Sequence, residues 1–198
     1  MSISLIDENL RLPSTPMATI GVFLGSLREG RVGEQVANWV MAATEDRGAE
    51  YRLLDLAEFD VPALTTATMP AVANKVYDEP SVSRWSEAVD ACDGFIFVTP
   101  EYNHSIPGTM KNAFDSLFSE WHGKPVGFVG YGGDGGVRAI EHWRQVVANL
   151  SMFGIRNIVA LQIFGEDAQD GNFAPRDEKR ASLDRVLGDL EAALTSRG

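Results

Sequence analysis

The chain has 198 residues, 44% of them apolar and 23% charged, enough to bury one core as a single domain. Its formal net charge of -11 argues against a nucleic-acid partner, because a phosphate backbone is gripped chiefly by clustered lysine and arginine. Any anionic ligand must then be held by a local basic spot.

Residues 1–17, MSISLIDENLRLPSTPM, carry Asp7 and Glu8 and no basic start ahead of an apolar block. They read as a loose leader rather than a secretory signal, with one domain over 18–198. ATIGVFL (18–24) is a nearly continuous apolar run, the pattern of a strand covered on both faces. Behind it, GSLREGRVGE offers the Ser26 hydroxyl, the cations Arg28 and Arg31, and unpaired N–H groups where a helix starts near Val32 and Gly33. These are the parts of a cradle for a terminal monophosphate. The loop has neither the spaced glycines of G-x-G-x-x-G nor the G-x-x-x-x-G-K-[ST] of a triphosphate loop, and an ordinary solvated turn is its other reading. Val36, Ala37, Val40 and Met41 then mark one face of a helix.

YRLLDL (51–56) reads as a second strand, less apolar and nearer an edge. Asp55 closes it about where a ribose-binding acid would sit, which keeps a dinucleotide fold in play. Residues 62–81, with three prolines and little periodicity, form an irregular excursion able to cap a site or a subunit contact. A helix stripe (Val82, Trp85, Val89) leads to the strand GFIFV (94–98) and the loop TPEYNHSIPG (99–108). Pro100 stiffens the strand exit, and Pro107 and Gly108 mark the next helix start. Between them, Glu101, Tyr102, Asn103 and His104 combine donors, an amide and an aromatic surface, the features that hold a flat heteroaromatic ring. A purely structural loop in which Asn103 caps a turn is the alternative.

Met110, Ala113, Phe114 and Leu117 form the next stripe, and PVGFVG (125–130) the next strand. The run GYGGDGGVRA (130–139), dense in residues without Cβ, permits a backbone to approach a flat ligand closely. Val137, Ile140, Val147 and Leu150 form a fourth stripe, NIVALQIF (157–164) a last strand, and Leu183, Val186, Leu187, Leu190 and Leu194 a fifth stripe. Strand and helix thus alternate five times. That implies an α/β fold: a doubly wound, five-stranded parallel sheet with right-handed crossovers and helices on both faces. In such a sheet ligands bind beyond the carboxyl ends of the strands where the winding reverses, so the loops after strands one, three and four matter most.

Cys92 stands alone, so no internal disulfide forms, in keeping with a cytoplasmic location. No apolar run approaches the ~20 residues of a membrane helix, and no membrane association is expected. His104, His122 and His142 are far apart and lack ligand spacing, so no metal site is predicted. Trp39, Trp85, Trp121 and Trp143 lie on or beside helices, with core packing as the default.

GSLREGRVGE, VTPEYNHSIPGTMKNAFDSL and YGGDGGVRA, in that order, resemble the NADPH-dependent FMN reductase family of flavodoxin-like proteins, relatives of the NAD(P)H quinone and azo-dye reductases. The resemblance implies FMN bound non-covalently, with Ser26, Arg28 and the N–H groups of Val32 and Gly33 at the phosphate, where Arg31 is a second arginine able to supply donors. It puts Pro100, Glu101, Tyr102, Asn103, Tyr131, Gly132 and Gly133 at the isoalloxazine. It implies hydride transfer from NADPH or NADH to the flavin and then to a flavin, a quinone or another small electron acceptor, in a homodimer or homotetramer. The chemistry belongs to the two ring systems, so no catalytic side chain is expected. The family often has serine and asparagine where this chain has Arg31 and Gly33. A flavodoxin-type electron carrier, which binds FMN without oxidising NAD(P)H, is the alternative.

Overall fold

The computed structural model describes residues 17–196; the expected leader, apart from Met17, lies outside the described residues. Five strands, β1 (Thr19–Leu24), β2 (Glu50–Asp55), β3 (Gly94–Pro100), β4 (Pro125–Gly132) and β5 (Phe153–Gln162), form one sheet in the order β2-β1-β3-β4-β5. Every neighbouring pair in that sheet is parallel. The five expected strands are all present. The central three are buried along their whole length, which is why they read as unbroken apolar runs.

Side chains leave these strands with period two and divide the core into two layers. Phe23, Phe95, Phe97, Val126 and Phe128 face one side, against α2 (Pro80–Asp90), α3 (Gly108–Asp115) and α4 (Val137–Ala148). Ile20, Val22, Leu24, Ile96, Val98 and Val129 face the other, against α1 (Gly33–Ala42) and α5 (Asp177–Thr195). Trp85, Trp121 and Trp143 are fully buried in the first layer, and each indole N–H finds an acceptor: Ala113 O at 2.9 Å, Phe114 O at 3.1 Å and Thr99 Oγ1 at 3.2 Å. Because Thr99 lies near the end of β3, the last of these bonds fixes the strand exit that leads into the predicted ring loop.

Two departures from expectation have local causes. β5 begins at Phe153, four residues before the predicted start, because an edge strand exposes alternate residues and loses the continuous apolar signature there. A two-stranded hairpin, β6 (Ala168–Gln169) and β7 (Asn172–Phe173), was not foreseen. Its turn is Asp170-Gly171 with φ of 50° and 78°, a hairpin signal hidden by strands only two residues long. Phe173 packs edge-on against Trp39, with centroids 5.9 Å apart.

The excursion over 62–81 is tied down at two places. The Asn112 amide accepts from Leu64 N (2.9 Å) and donates to Pro62 O (2.8 Å). The fully buried Glu120 accepts from Tyr77 Oη (2.7 Å), Ser86 Oγ (2.6 Å) and Phe118 N (3.1 Å). The winding reverses at β1, which pairs with β2 on one side and β3 on the other, so the carboxyl ends of β1 and β3 open the crevice in which such sheets hold ligands.

Candidate functional site

The loop after β1 enters the crevice with Ser26, 1% exposed, whose hydroxyl lies 3.0 Å from the Tyr102 hydroxyl. The loops after β1 and β3 are therefore in direct contact. Val32 is the N-cap of α1 and no side chain caps that helix, so its first-turn N–H groups point at the loop without side-chain acceptors. With the helix dipole they favour an anion. Gly33 is needed for space: a Cβ there would stand 2.4 Å from the Tyr131 hydroxyl.

The two arginines of this loop differ. Arg28 is exposed and makes no ion pair among the described residues. Arg31, expected at the phosphate, is turned inward against Asp55 (2.8 and 2.5 Å), Glu34 and the Ser26 carbonyl oxygen. The hydrogen bonds that Arg31 donates to Asp55 and to Glu34 hold the guanidinium charged more firmly than usual against the opposing cost of burial. Asp55 also accepts from Ala57 N at 3.0 Å. The position of the ribose acid in a dinucleotide fold is thus filled by a carboxylate already engaged inside the protein.

The loop after β3 is a tight reversal. Tyr102 and Ser105 exchange both backbone hydrogen bonds at 3.0 Å, and Asn103 and His104 sit at φ of 51° and 63°. That is the geometry of a type I′ turn, adopted here without glycine. The Asn103 and His104 side chains are exposed, and the Asn103 N–H makes no hydrogen bond among the described residues. His142 on α4 steadies the turn, its Nδ1 lying 2.8 Å from Ser105 Oγ.

Glu101, expected at the ring, has its side chain engaged within the protein. Its N–H donates to Tyr131 O (3.2 Å), and its carboxylate accepts from Arg138 N (3.0 Å) and pairs with the Arg138 guanidinium (2.9 Å). A carboxylate at the first turn of α4 complements the open N–H groups and the dipole there, which is the physical reason for its orientation. The Tyr131 side chain packs in the α1/α5 layer, its hydroxyl beside Gly33 and near Ser26 and Tyr102. Its hydroxyl is buried without a well-formed hydrogen bond, and burial pushes its pKa upward against the opposing pull of the nearby Ser26 hydroxyl, so it stays a neutral donor.

After β4, Gly132 O accepts from Gly135 N (3.4 Å) and Ile163 N (3.2 Å), and Gly133 is exposed with open space where a Cβ would stand. Gly136 starts α4 at φ 73°, where a Cβ would press within 2.6 Å of Tyr131 N. Pro100, the last residue of β3, lies opposite Tyr131 in the register. Among the described residues, unengaged donors at the crevice include the α1 amides, Arg28 and the N–H groups of Asn103 and Gly133, beside the paired Ser26 and Tyr102 hydroxyls. A cradle of amides plus one uncommitted cation fits a terminal phosphate, and the unengaged amides beyond it fit the edge of a flat ring. The Arg31–Asp55 link, the Tyr131 hydroxyl and the Ser105–His142 contact are the features sequence reasoning missed.

This arrangement of sheet, crevice and loops defines a flavodoxin-like α/β protein. Among solved structures, the flavoenzyme NAD(P)H:(acceptor) oxidoreductase FerB from Paracoccus denitrificans superimposes with a TM-score of 0.69 at 23% identity, covering 88% of this chain and 96% of that one. The profile of the NADPH-dependent FMN reductase family matches residues 18–166. The NAD(P)H-dependent FMN reductase ntnL of Nectria sp. is 41% identical over 128 residues, 62% of this chain and 64% of that protein's length. The NAD(P)H-dependent FMN reductase C4B3.06c of Schizosaccharomyces pombe is 31% identical over 173 residues, 87% of this chain and 84% of that protein. The chain belongs to the NADPH-dependent FMN reductase family, and with it to the oxidoreductases that work with FMN and NAD(P)H.

Proposed function

We propose that the chain binds FMN non-covalently across the three loops and passes reducing equivalents from NADPH or NADH to a small planar acceptor, a free flavin or a quinone. The observation that carries this reading is the 3.0 Å contact between the Ser26 and Tyr102 hydroxyls, which makes the phosphate cradle and the ring loop one continuous surface. Ser26, Arg28 and the α1 amides at Val32 and Gly33 would take the phosphate; Pro100, Tyr102 and Asn103 on one side and Gly132 and Gly133 on the other would border the ring. Bound there, FMN supplies the hydride chemistry. The protein's part is to orient: the I′ turn holds the Asn103 N–H outward, Glu101 fixes α4 and so the glycine turn, and Arg28 balances phosphate charge. A shallow cavity of about 360 Å³ lined by His104, Val137, Arg138, Glu141 and His142 adjoins the ring loop and is a place for the donor or the acceptor.

We further propose a homodimer or homotetramer, because the excursion exposes Leu64, Met69, Val72 and Val76 while its backbone is pinned from beneath. The cytoplasm, where the buried Cys92 thiol stays reduced, is the proposed location. No helix of the described residues is long and apolar enough to cross a membrane.

Stopped-flow mixing of the FMN-loaded protein with NADPH tests the reading. Bleaching of the flavin absorbance, followed by its return when a quinone or free flavin is added, is expected. A protein that binds FMN yet leaves NADPH unoxidised would be an electron carrier instead.

A further inference from the structure

An arginine guanidinium has five N–H donors. In Arg31 all five are engaged: Nε with Glu34 Oε1 (3.0 Å), Nη1 with Asp55 Oδ1 (2.8 Å) and the Ser26 carbonyl, and Nη2 with Asp55 Oδ2 (2.5 Å) and Glu34 Oε1 (2.8 Å). Its side chain keeps only 9% of its exposure and that of Asp55 13%, so this two-pronged pair is largely shielded from solvent. Two carboxylates answer one cation, and nothing is left on Arg31 to offer an anion.

The geometry points to Arg31 as a positioning residue, not a phosphate ligand: it ties the Ser26 carbonyl to the end of β2 through Asp55 and to the first turn of α1 through Glu34, and so sets the shape of the phosphate cradle. The inference rests on FMN being held as proposed above. Its logic is steric and electrostatic. With the Ser26 carbonyl drawn toward the guanidinium, that partial negative charge is neutralised instead of facing a phosphate dianion, and the Ser26 hydroxyl keeps its place beside Tyr102. Planar, two-pronged pairing fixes direction as well as distance, which a lysine ammonium cannot do. Arg28 is then the cation that meets the phosphate.

The two roles predict opposite results when Asp55 is neutralised. Asp55→Asn frees Arg31 donors; a direct ligand would then bind phosphate as well or better, whereas a positioning residue would lose its anchor. The experiment titrates cofactor-stripped, full-length protein with FMN and with riboflavin, which lacks the phosphate, by calorimetry and flavin fluorescence. Asp55→Asn and Arg31→Lys are each expected to weaken FMN binding by roughly tenfold or more, the scale of one or two charge-assisted hydrogen bonds, while riboflavin changes by less than about threefold. The double variant should be no worse than either single one, since both break the same link. FMN affinity that holds or tightens in Asp55→Asn, or equal losses for FMN and riboflavin, would overturn the inference.

Glu34→Gln, at a side chain 58% exposed, guards against a variant that fails to fold; tighter FMN binding there would also overturn it, and an unchanged or weaker value is the expected result. Arg28→Ala serves as the control for a direct ligand and should lose FMN but not riboflavin. If the unaltered protein binds no FMN, the cofactor reading itself is wrong, a result distinguishable from any outcome among the variants.

Discussion

Tyr131 carries a hydroxyl that the protein buries near Ser26 without a well-formed hydrogen bond, on a residue only 4% exposed. A buried unpaired hydroxyl is unfavourable on the order of 1–3 kcal/mol, and removing it relieves that penalty. Gly33 is a consequence of the same group, because any side chain there would collide with it. Tyr131→Phe should therefore leave the cofactor-free protein's stability unchanged within ~0.5 kcal/mol or raise it, as read by urea denaturation. A fall of more than ~1 kcal/mol would show that the hydroxyl has a structural partner in solution. The FMN-loaded protein provides the contrast: if the hydroxyl's hydrogen is used when the cradle is filled, the gain in melting temperature on adding FMN should be smaller in Tyr131→Phe than in the unaltered chain.

At the scale of elements, the excursion between β2 and α2 behaves as a strapped segment, and Glu120 is its buckle. One carboxyl oxygen accepts from Tyr77 and Ser86, the other from Phe118 N, with no cation nearby among its bonded groups. Glu120→Ala would strand the buried Ser86 hydroxyl and the part-buried donors of Tyr77, Phe118 and Ser119, and is expected to lower stability by about 3–5 kcal/mol; Glu120→Gln, whose amide oxygen can still accept from Tyr77 and Ser86, by about 1–2 kcal/mol. Limited proteolysis should locate the change, with new cleavage inside 62–78 in the alanine variant before the sheet is attacked. Equal cleavage patterns in both proteins would deny Glu120 this role. The strap was not legible in the sequence, where residues 62–81 show only prolines and weak periodicity. The central strands were legible, because burial on both faces leaves an unbroken apolar run, and β5 was read short because an edge strand breaks that run. The candidate site divides the same way. Its backbone segments follow strand ends and announce themselves, but which atoms are already engaged depends on pairs such as Arg31 with Asp55 and Glu101 with Arg138, 24 and 37 residues apart. Only the folded chain brings those together.

At the scale of the whole molecule, one exposed apolar surface needs an explanation. Met69, Val72 and Val76 are 66%, 57% and 76% exposed, and Leu64 lies on the same excursion over a cavity of about 330 Å³ that also reaches Val82 and Ser116. Proteins seldom leave such side chains together in water, and this segment is tied at both its ends, at Pro62 and Leu64 through Asn112 and at Tyr77 through Glu120. A second copy of the chain meeting this face would remove it from water, and a stable dimer buries on the order of 1,600 Å² in total. The net charge of -11 opposes self-association at low salt, so the apolar contact must outweigh repulsion that added salt screens. Light scattering of the purified protein is accordingly expected to give a mass of at least two chains at micromolar concentration, with association strengthened rather than weakened as salt rises. Val76→Asp together with Met69→Asp should shift the population to monomer while leaving the far-ultraviolet circular dichroism unchanged. If the unaltered protein runs as a monomer at every salt concentration, this face has another occupant and the subunit contact is refuted.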